Sequence, residues 1–493
     1  MALQLTAAEI ATGSPNSMLL HFTWQVAKAM RFGRALATGA AQRLSADKTS
    51  ASLLDKIAAL RPDVPLSREG SGPGSRIDTE LRLLTFVGAE TPAPGTTALE
   101  RLTNLQHRFD RRLDERLVHA AGLAAVAPFA VDDVQAALDP RTVLVQLYLG
   151  LLGDGRVRLA LGATRDEIFA HGVPEDRGLL VQLTEGDRVE TGYSYALDAF
   201  TLRKELAAAA PHAAAVAGAA EGVARWVIGG LEPTLDALAA KGHDHLCVLP
   251  HGPLHYVPLH LLPVGDHLLG DHWTVTVLPS LELLRRARAQ DAPRRSGIAS
   301  FGVTFTTGNP YGLTELPDAA DEANRVAARF GAEALVDDQV TERAVCEGLS
   351  RARYVHIATH GALNLDTPSF QYLVVTPERE SDGILYAHEL LVCDLRGLDL
   401  VTLSACETAL GRIDRADNPR GLPAALLLAG AEAIVGTLWQ IESDVARAFF
   451  VELYGALADG ATRLEAYRRA QQEVRRRFPA LNQWGAFYYL GVW

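Results

Sequence analysis

Cysteine is scarce. The 493 residues hold four, Cys247, Cys346, Cys393 and Cys406, far apart and without a CxxC pair. That argues against a disulfide framework or a structural zinc site and fits a reducing compartment. Long apolar runs are missing as well. The longest, Pro423 to Trp439, is broken by Gly430, Glu432 and Gly436 and is too short to span a bilayer. The first residues, MALQLTAAEI, lack the basic start and apolar core of a signal peptide. The expectation is a cytoplasmic protein. Positive charge is in deficit: 47 Lys and Arg face 59 Asp and Glu, a net charge of −12. Nucleic acids and anionic membranes are therefore not expected partners. There is no GxxxxGK[ST], HExxH or GxSxG, so nucleotide, zinc-protease and α/β-hydrolase chemistry lack their marks.

What is present is an ordinary globular composition, 48% hydrophobic and 22% charged. The length allows about three domains, each able to bury a core without metal or disulfide. Residues 1–125 read as a helical region. Leu99, Leu102, Leu105, Phe109, Leu113 and Leu117 recur at steps of three or four. Gly70–Arg76 and Thr91–Thr97 break that region. From about Val131 the texture changes. Val143–Leu152 and Arg156–Leu161 read as paired strands, 197–240 as Ala-rich helix, and His245–Pro250 as a buried strand. After a polar stretch at 290–296, strands alternate with helices. Strands are expected at 298–303, 334–336, 354–359, 371–376, 399–403 and 433–438. The intervening helices fall at 319–330, 341–349, 422–429 and 445–457. Such alternation predicts an α/β fold, a mostly parallel sheet with helices on both faces. The division expected is 1–125, 126–290 and 291–493.

Function in parallel sheets gathers at the carboxyl ends of strands. Two strands end in reactive groups: 354–359 runs into His360-Gly361, and 399–403 into Ser404-Ala405-Cys406. Side by side, they deliver an imidazole and a thiol to one cleft. An imidazole lowers a thiol's pKa and shuttles its proton. Gly361 allows close approach of a carbonyl, and its N–H with that of Cys406 can form an oxyanion hole. His356, on the same strand, reads as a buried structural residue. A cysteine at a strand end is ordinarily a packing residue, so pattern alone leaves catalysis and packing both open.

Together, Ala358–Gly361 (ATHG), Leu403–Gly411 (LSACETALG), Gly421–Asp444, Leu249–Pro263 (LPHGPLHYVPLHLLP) and Val277–Ser280 (VLPS) resemble the CHAT family. These are caspase-like cysteine peptidases of the clan that holds separases, caspases and gingipains. The resemblance covers roughly residues 130–493. It implies a caspase-like fold and a dyad of His360, general base and acid, with Cys406, nucleophile. It implies no cofactor. By analogy with separase-like relatives, Asp444 would line an S1 pocket for a basic P1 residue; the alternative is that Ser443 or Asp444 caps a helix starting near Val445. The expected substrate is a protein, such as a pore-forming or effector protein, in bacterial defence or regulated cell death. An activating partner would dock on the helical N-terminal region. A catalytically silent caspase-like scaffold is the rival reading, and a Cys-dependent amidase or acyltransferase a second.

Three further signals complete the reading. Gly411–Gly421, with Arg412, Arg415 and Arg420, is polar and rich in breakers, hence expected to be a mobile loop open to self-cleavage. His251, His255 and His260 invite a metal reading, but Pro253 and Pro258 break the helix it needs. Strand-then-His-Gly occurs at Val248–Gly252 too. That pattern marks the first half as a degenerate copy of the second, inactive for want of a matching cysteine. The late arginines, Arg463, Arg468, Arg469 and Arg475–Arg477, are expected on a solvated helix face.

Overall fold

The computed structural model describes residues 32, 35–36, 39–44, 47–61, 97–121, 131–152, 155–175, 180–185, 188–208, 210–289, 295–306, 309–405, 409–414 and 417–493. The described residues of this region include helices α1 (Lys48–Leu60) and α2 (Ala98–Ala121). The Asp47 carboxylate caps α1 by accepting from the N–H groups of Thr49 and Ser50. Helix α2 buries Leu102, Phe109 and Leu113 on one stripe, as the spacing predicts. The break at 70–76 and residues 91–96 of the second lie outside the described residues.

Strands β1 (Thr142–Leu152), β2 (Gly155–Ala163) and β3 (Ile168–Glu175) form an antiparallel meander. A hairpin of β4 (Leu180–Glu185) and β5 (Arg188–Tyr193) follows. Then come three helices, Ser194–Leu206, Ala213–Val227 and Glu232–Ala240. Strand β6 (His245–Leu249) leads to the small hairpin β7 (Pro263–Val264) and β8 (His267–Leu268), and on to β9 (Thr274–Val277). The second half holds β10 (Ser296–Gly302), β11 (Leu335–Val336), β12 (Ala352–Ala358), β13 (Gly361–Ala362), β14 (Tyr372–Val374), β15 (Ile384–Tyr386), β16 (Leu400–Ser404), β17 (Ala433–Thr437) and β18 (Phe487–Gly491).

Among the described residues, eleven strands share one sheet, ordered β11-β10-β12-β16-β17-β18-β9-β6-β1-β2-β3. It runs unbroken across residue 290. Strands β11, β10, β12, β16 and β17 are parallel to one another, and so are β9, β6 and β1. Between the groups lies β18, antiparallel to β17 and parallel to β9. The two groups therefore point in opposite directions. The expected α/β architecture stands, with antiparallel pairings at β17–β18, β1–β2 and β2–β3.

Strand β10 shows why both faces are covered. Its side chains alternate. Gly302 leaves room for Ala319 and Ala323 of helix α3 (Ala319–Ala328), and Ser300 donates its hydroxyl to the Ala323 carbonyl. Ala299 and Phe301 point the other way, against Gly348 of helix α4 (Glu342–Arg351). One strand thus separates two helices by parity.

Three expectations differ from the structure. The strand expected at 371–376 is β14, in a separate sheet with β13 and β15. The chain folds back on itself after Gly361, and a short apolar run does not say which sheet it joins. Strands β3 to β5, rich in Gly and charge, and β18 carry no strong alternation and were not anticipated. The late arginines lie on helix α7 (Arg463–Arg477), taking helix α5 as Leu422–Ala429 and helix α6 as Ser443–Ala458. That face is not simply solvated. Arg463 pairs with Glu432, Arg468 with Asp244, and Arg475 with Asp271. Asp244 and Asp271 belong to the first half, so the helix fastens the halves together.

Candidate active site

Strands β12 and β16 are neighbours in parallel register, Tyr354 opposite Leu400 and Ala358 opposite Ser404. The register is kept past the strand ends, where the Thr359 N–H donates to the Ser404 carbonyl at 3.2 Å. His356 and its register partner Thr402 are 46 residues apart, the separation of His360 from Cys406. His360 therefore leaves the edge of the sheet at which β16 also ends, two positions beyond Ala358. Cys406 itself lies outside the described residues.

His360 is partly exposed. Its carbonyl accepts from the Val374 N–H of β14 at 2.8 Å, which fixes the backbone. Its ring packs 4.8 Å from Phe305, a residue held at φ +57°. Its Nε2 lies 2.6 Å from the Thr314 carbonyl oxygen. A carbonyl only accepts, so Nε2 carries the proton and the neutral ring keeps Nδ1 as its acceptor. The Thr314 partner of His360 was not visible in the sequence, because a backbone carbonyl has no side-chain signature.

Beneath it, His356 is fully buried, as expected. Its Nδ1 meets the Thr402 hydroxyl at 2.7 Å, and its Nε2 sits 3.0 Å from Glu322. Thr402 continues to Tyr454, whose hydroxyl donates to the Val355 carbonyl. This polar pillar ties β12, β16 and the helices α3 and α6 below the strand ends.

A cavity of about 300 Å³ opens beside His360. Ser404, Ala405, Thr437 and Ser443 line it, with Asp318 and Glu322 as its acidic groups. Asp318 pairs with Arg447 at 2.7 Å. Asp444 is exposed in the first turn of α6 and is not on that lining; its carboxylate accepts from the Val445 N–H at 2.8 Å. Nor does Ser443 or Asp444 cap that helix. The helix starts at Ser443, and Glu442 holds the N-cap position without a side-chain bond. Gly361 is in β13, paired with Leu373.

The segment Gly411–Gly421 is not the loose loop its composition implies. Arg415 and Ala416 lie outside the described residues, but the described remainder is fastened at several points. Asp417 and Asn418 are each 2% exposed. Asp417 accepts from the Gly252 N–H at 2.9 Å and lies 3.3 Å from His255. The Ile413 N–H donates to the Tyr256 hydroxyl. Asn418 accepts from Phe32, and Arg420 pairs with Asp114 of α2 and Asp414. Polar residues here satisfy one another rather than water, which sequence composition does not distinguish. His255 and His260 are consequently framework residues: His260 is buried against Trp484.

Helix α2 reaches the other loop of the site too. Gln106 accepts from the Thr367 hydroxyl, Asp110 from the Ser369 N–H at 3.1 Å, and Phe109 packs on Phe370. With Asp114 on Arg420, residues 106, 110 and 114 form a stripe at helical spacing. It bridges the chain leaving His360 and the chain leaving Cys406.

The fold is that of an α/β protein whose mostly parallel sheet is covered by helices on both faces. The CHAT domain model matches residues 219–492, and the chain belongs to that family. Tetratricopeptide repeat protein 28 of Mus musculus is 26% identical over 298 residues, and that of Homo sapiens 24%. Each match takes in 50% of this chain and only 12% of the relative's length. Among solved structures, the Arg-specific cysteine proteinase gingipain R aligns with a TM-score of 0.38 at 9% identity, covering 59% of this chain and 73% of that one. The Saccharomyces cerevisiae separase–securin complex aligns at 0.40 and 10% identity, covering 90% of this chain and 37% of that one. Among the described residues, no helix is long and apolar enough to cross a membrane.

Proposed function

We propose that this chain is a cysteine endopeptidase that cleaves a protein substrate. The observation that carries the reading is His360: partly exposed, its Nε2 proton committed to the Thr314 carbonyl, its Nδ1 left to take a proton beside the strand end that leads to Cys406. In this reading the Cys406 thiolate attacks a peptide carbonyl, and the Gly361 and Cys406 N–H groups hold the developing oxyanion. His360 protonates the leaving amine, and water then resolves the thioester.

The test is a peptide probe with a thiol-reactive warhead. Selective labelling of Cys406 over Cys247, Cys346 and Cys393, lost in His360→Ala, supports the proposal. No labelling of a folded protein, together with no cleavage of a peptide library, leaves the scaffold reading. That rival is favoured by relatives named for tetratricopeptide repeats rather than for proteolysis. Asp444 remains the proposed carboxylate for a basic P1 residue, acting from the rim, with Asp318 on the lining as its competitor. Library digests by Asp444→Asn and Asp318→Asn enzymes separate them: the one that loses Arg and Lys cleavage is the S1 acid.

The regulatory role proposed for residues 1–125 rests on the Gln106–Asp110–Asp114 stripe. A partner that lifts α2 would release both loops at once. A role in bacterial defence, by cleavage of a pore-forming or effector protein in the cytoplasm, is carried by family analogy. Growth arrest that requires Cys406 when enzyme and substrate are co-expressed would test it.

A further inference from the structure

The sequence separates all four cysteines, yet the fold brings two of them together. Cys346 sits on helix α4, and Cys393 in the turn after the short helix Ala387–Leu390. Their Sγ atoms are 3.9 Å apart, and both residues are partly exposed. Cys247, by contrast, is completely buried. A disulfide needs an S–S distance of about 2.05 Å, so rotation of the two side chains has roughly 2 Å to close. The Cys393 sulfur also lies 3.6 Å from the Glu389 carbonyl.

We propose that Cys346 and Cys393 form a dithiol site that a peroxide converts to an intramolecular disulfide. The proposal is independent of the peptidase reading and does not involve Cys406. The reaction opens with a thiolate formed on Cys393, 3.9 Å from the Cys346 sulfur. That thiolate takes one peroxide oxygen, the O–O bond breaks, and hydroxide leaves and is protonated to water. Cys393 becomes a sulfenic acid. The Cys346 sulfur then attacks the Cys393 sulfur, the S–O bond breaks, and a second water carries away the Cys346 proton. Two thiols lose two electrons and two protons, and the peroxide becomes two waters. The closed loop contains β12 and His360. The bridge would fasten α4, which packs on β10 and β12, to the turn that feeds β16.

The test uses the full chain with Cys406→Ala, which leaves three cysteines. After brief hydrogen peroxide treatment of the folded protein, denaturing alkylation should label one cysteine instead of three. A digest should yield one cross-linked pair, Cys346 with Cys393, and dithiothreitol should restore three labels. Phenylarsine oxide, which bridges close thiols, should add one equivalent per chain. Serine at either position, with unchanged far-ultraviolet circular dichroism, should abolish both the cross-link and the arsenical adduct. Three alkylatable cysteines after peroxide, sulfinic or sulfonic acids without a cross-link, or a bridge to Cys247 would each overturn the proposal. The peroxide arm needs no serine variant, so a variant that fails to fold does not protect it.

Discussion

The two halves of the sheet each contain a buried strand that ends in His-Gly, and they use it differently. In the second half, β12 delivers His360 beside β16, partly exposed and facing a cavity of about 300 Å³. In the first half, β6 delivers His251 to the opposite edge, because β18 reverses the direction between the groups. There the chain turns at Gly252, at φ +58°, and its N–H is held by the buried Asp417. Glycine suits that backbone conformation because it has no Cβ. One His-Gly lines a cavity through its histidine. The other anchors the segment downstream of the candidate nucleophile. The same dipeptide carries different meanings because strand direction, not local sequence, decides which edge it reaches.

The sharpest way to break this contrast is to remove each imidazole. Cys406→Ala and His360→Ala should each lower kcat/KM for a cleaved peptide by about 10³-fold or more, while His251→Ala should leave it within about threefold. Equal losses at both histidines would end the distinction. A second measurement sharpens the anchoring role. Asp417→Ala removes the buried acceptor of the Gly252 N–H and should cost about 2 kcal/mol in denaturant unfolding, with activity falling as well. An unchanged midpoint would remove the anchor.

The third concerns the α2 stripe and its pH dependence. Burial pushes the Asp110 carboxyl up to about 6, against the opposing hydrogen bonds from Ser369 and the charges of Arg420 and Arg412. The fold favours its protonated form. Docking of α2 should therefore be tightest below about pH 4 and weaken as pH rises through about 6. Protection factors of Leu363–Phe370, corrected for the intrinsic pH dependence of amide exchange, should be lower at pH 7.5 than at pH 5, and Asp110→Asn should flatten that difference. The smallest effect is at the partly exposed Arg420–Asp114 pair. Asp114→Ala should cost about 0.2–1 kcal/mol, visible as faster exchange in the 411–421 segment without a change in the rest of the sheet.

Much of the second half was legible because its elements carry strong local signals. Apolar strands at 298–303, 354–359, 399–403 and 433–438 and the helices between them emerge with shifts of at most two residues at their ends. Helix α2 was legible from its apolar steps. The less visible elements share a cause. Thr314 acts through a carbonyl, Asp417 through a contact with a residue far away in sequence, and β18 through a pairing that only the completed sheet creates. Gly411–Gly421 was misjudged since charged residues look alike whether they meet water or each other.

The amino-acid order alone determined that one strand leads into His360 and another ends at Ser404 on a helix-covered sheet, because periodicity is a local property of the chain. Long-range packing decided the rest. It chose which neighbour each strand pairs with, which way the first half points, and that Cys346 and Cys393 meet. Those outcomes depend on distances between residues that the chain holds dozens to hundreds of positions apart.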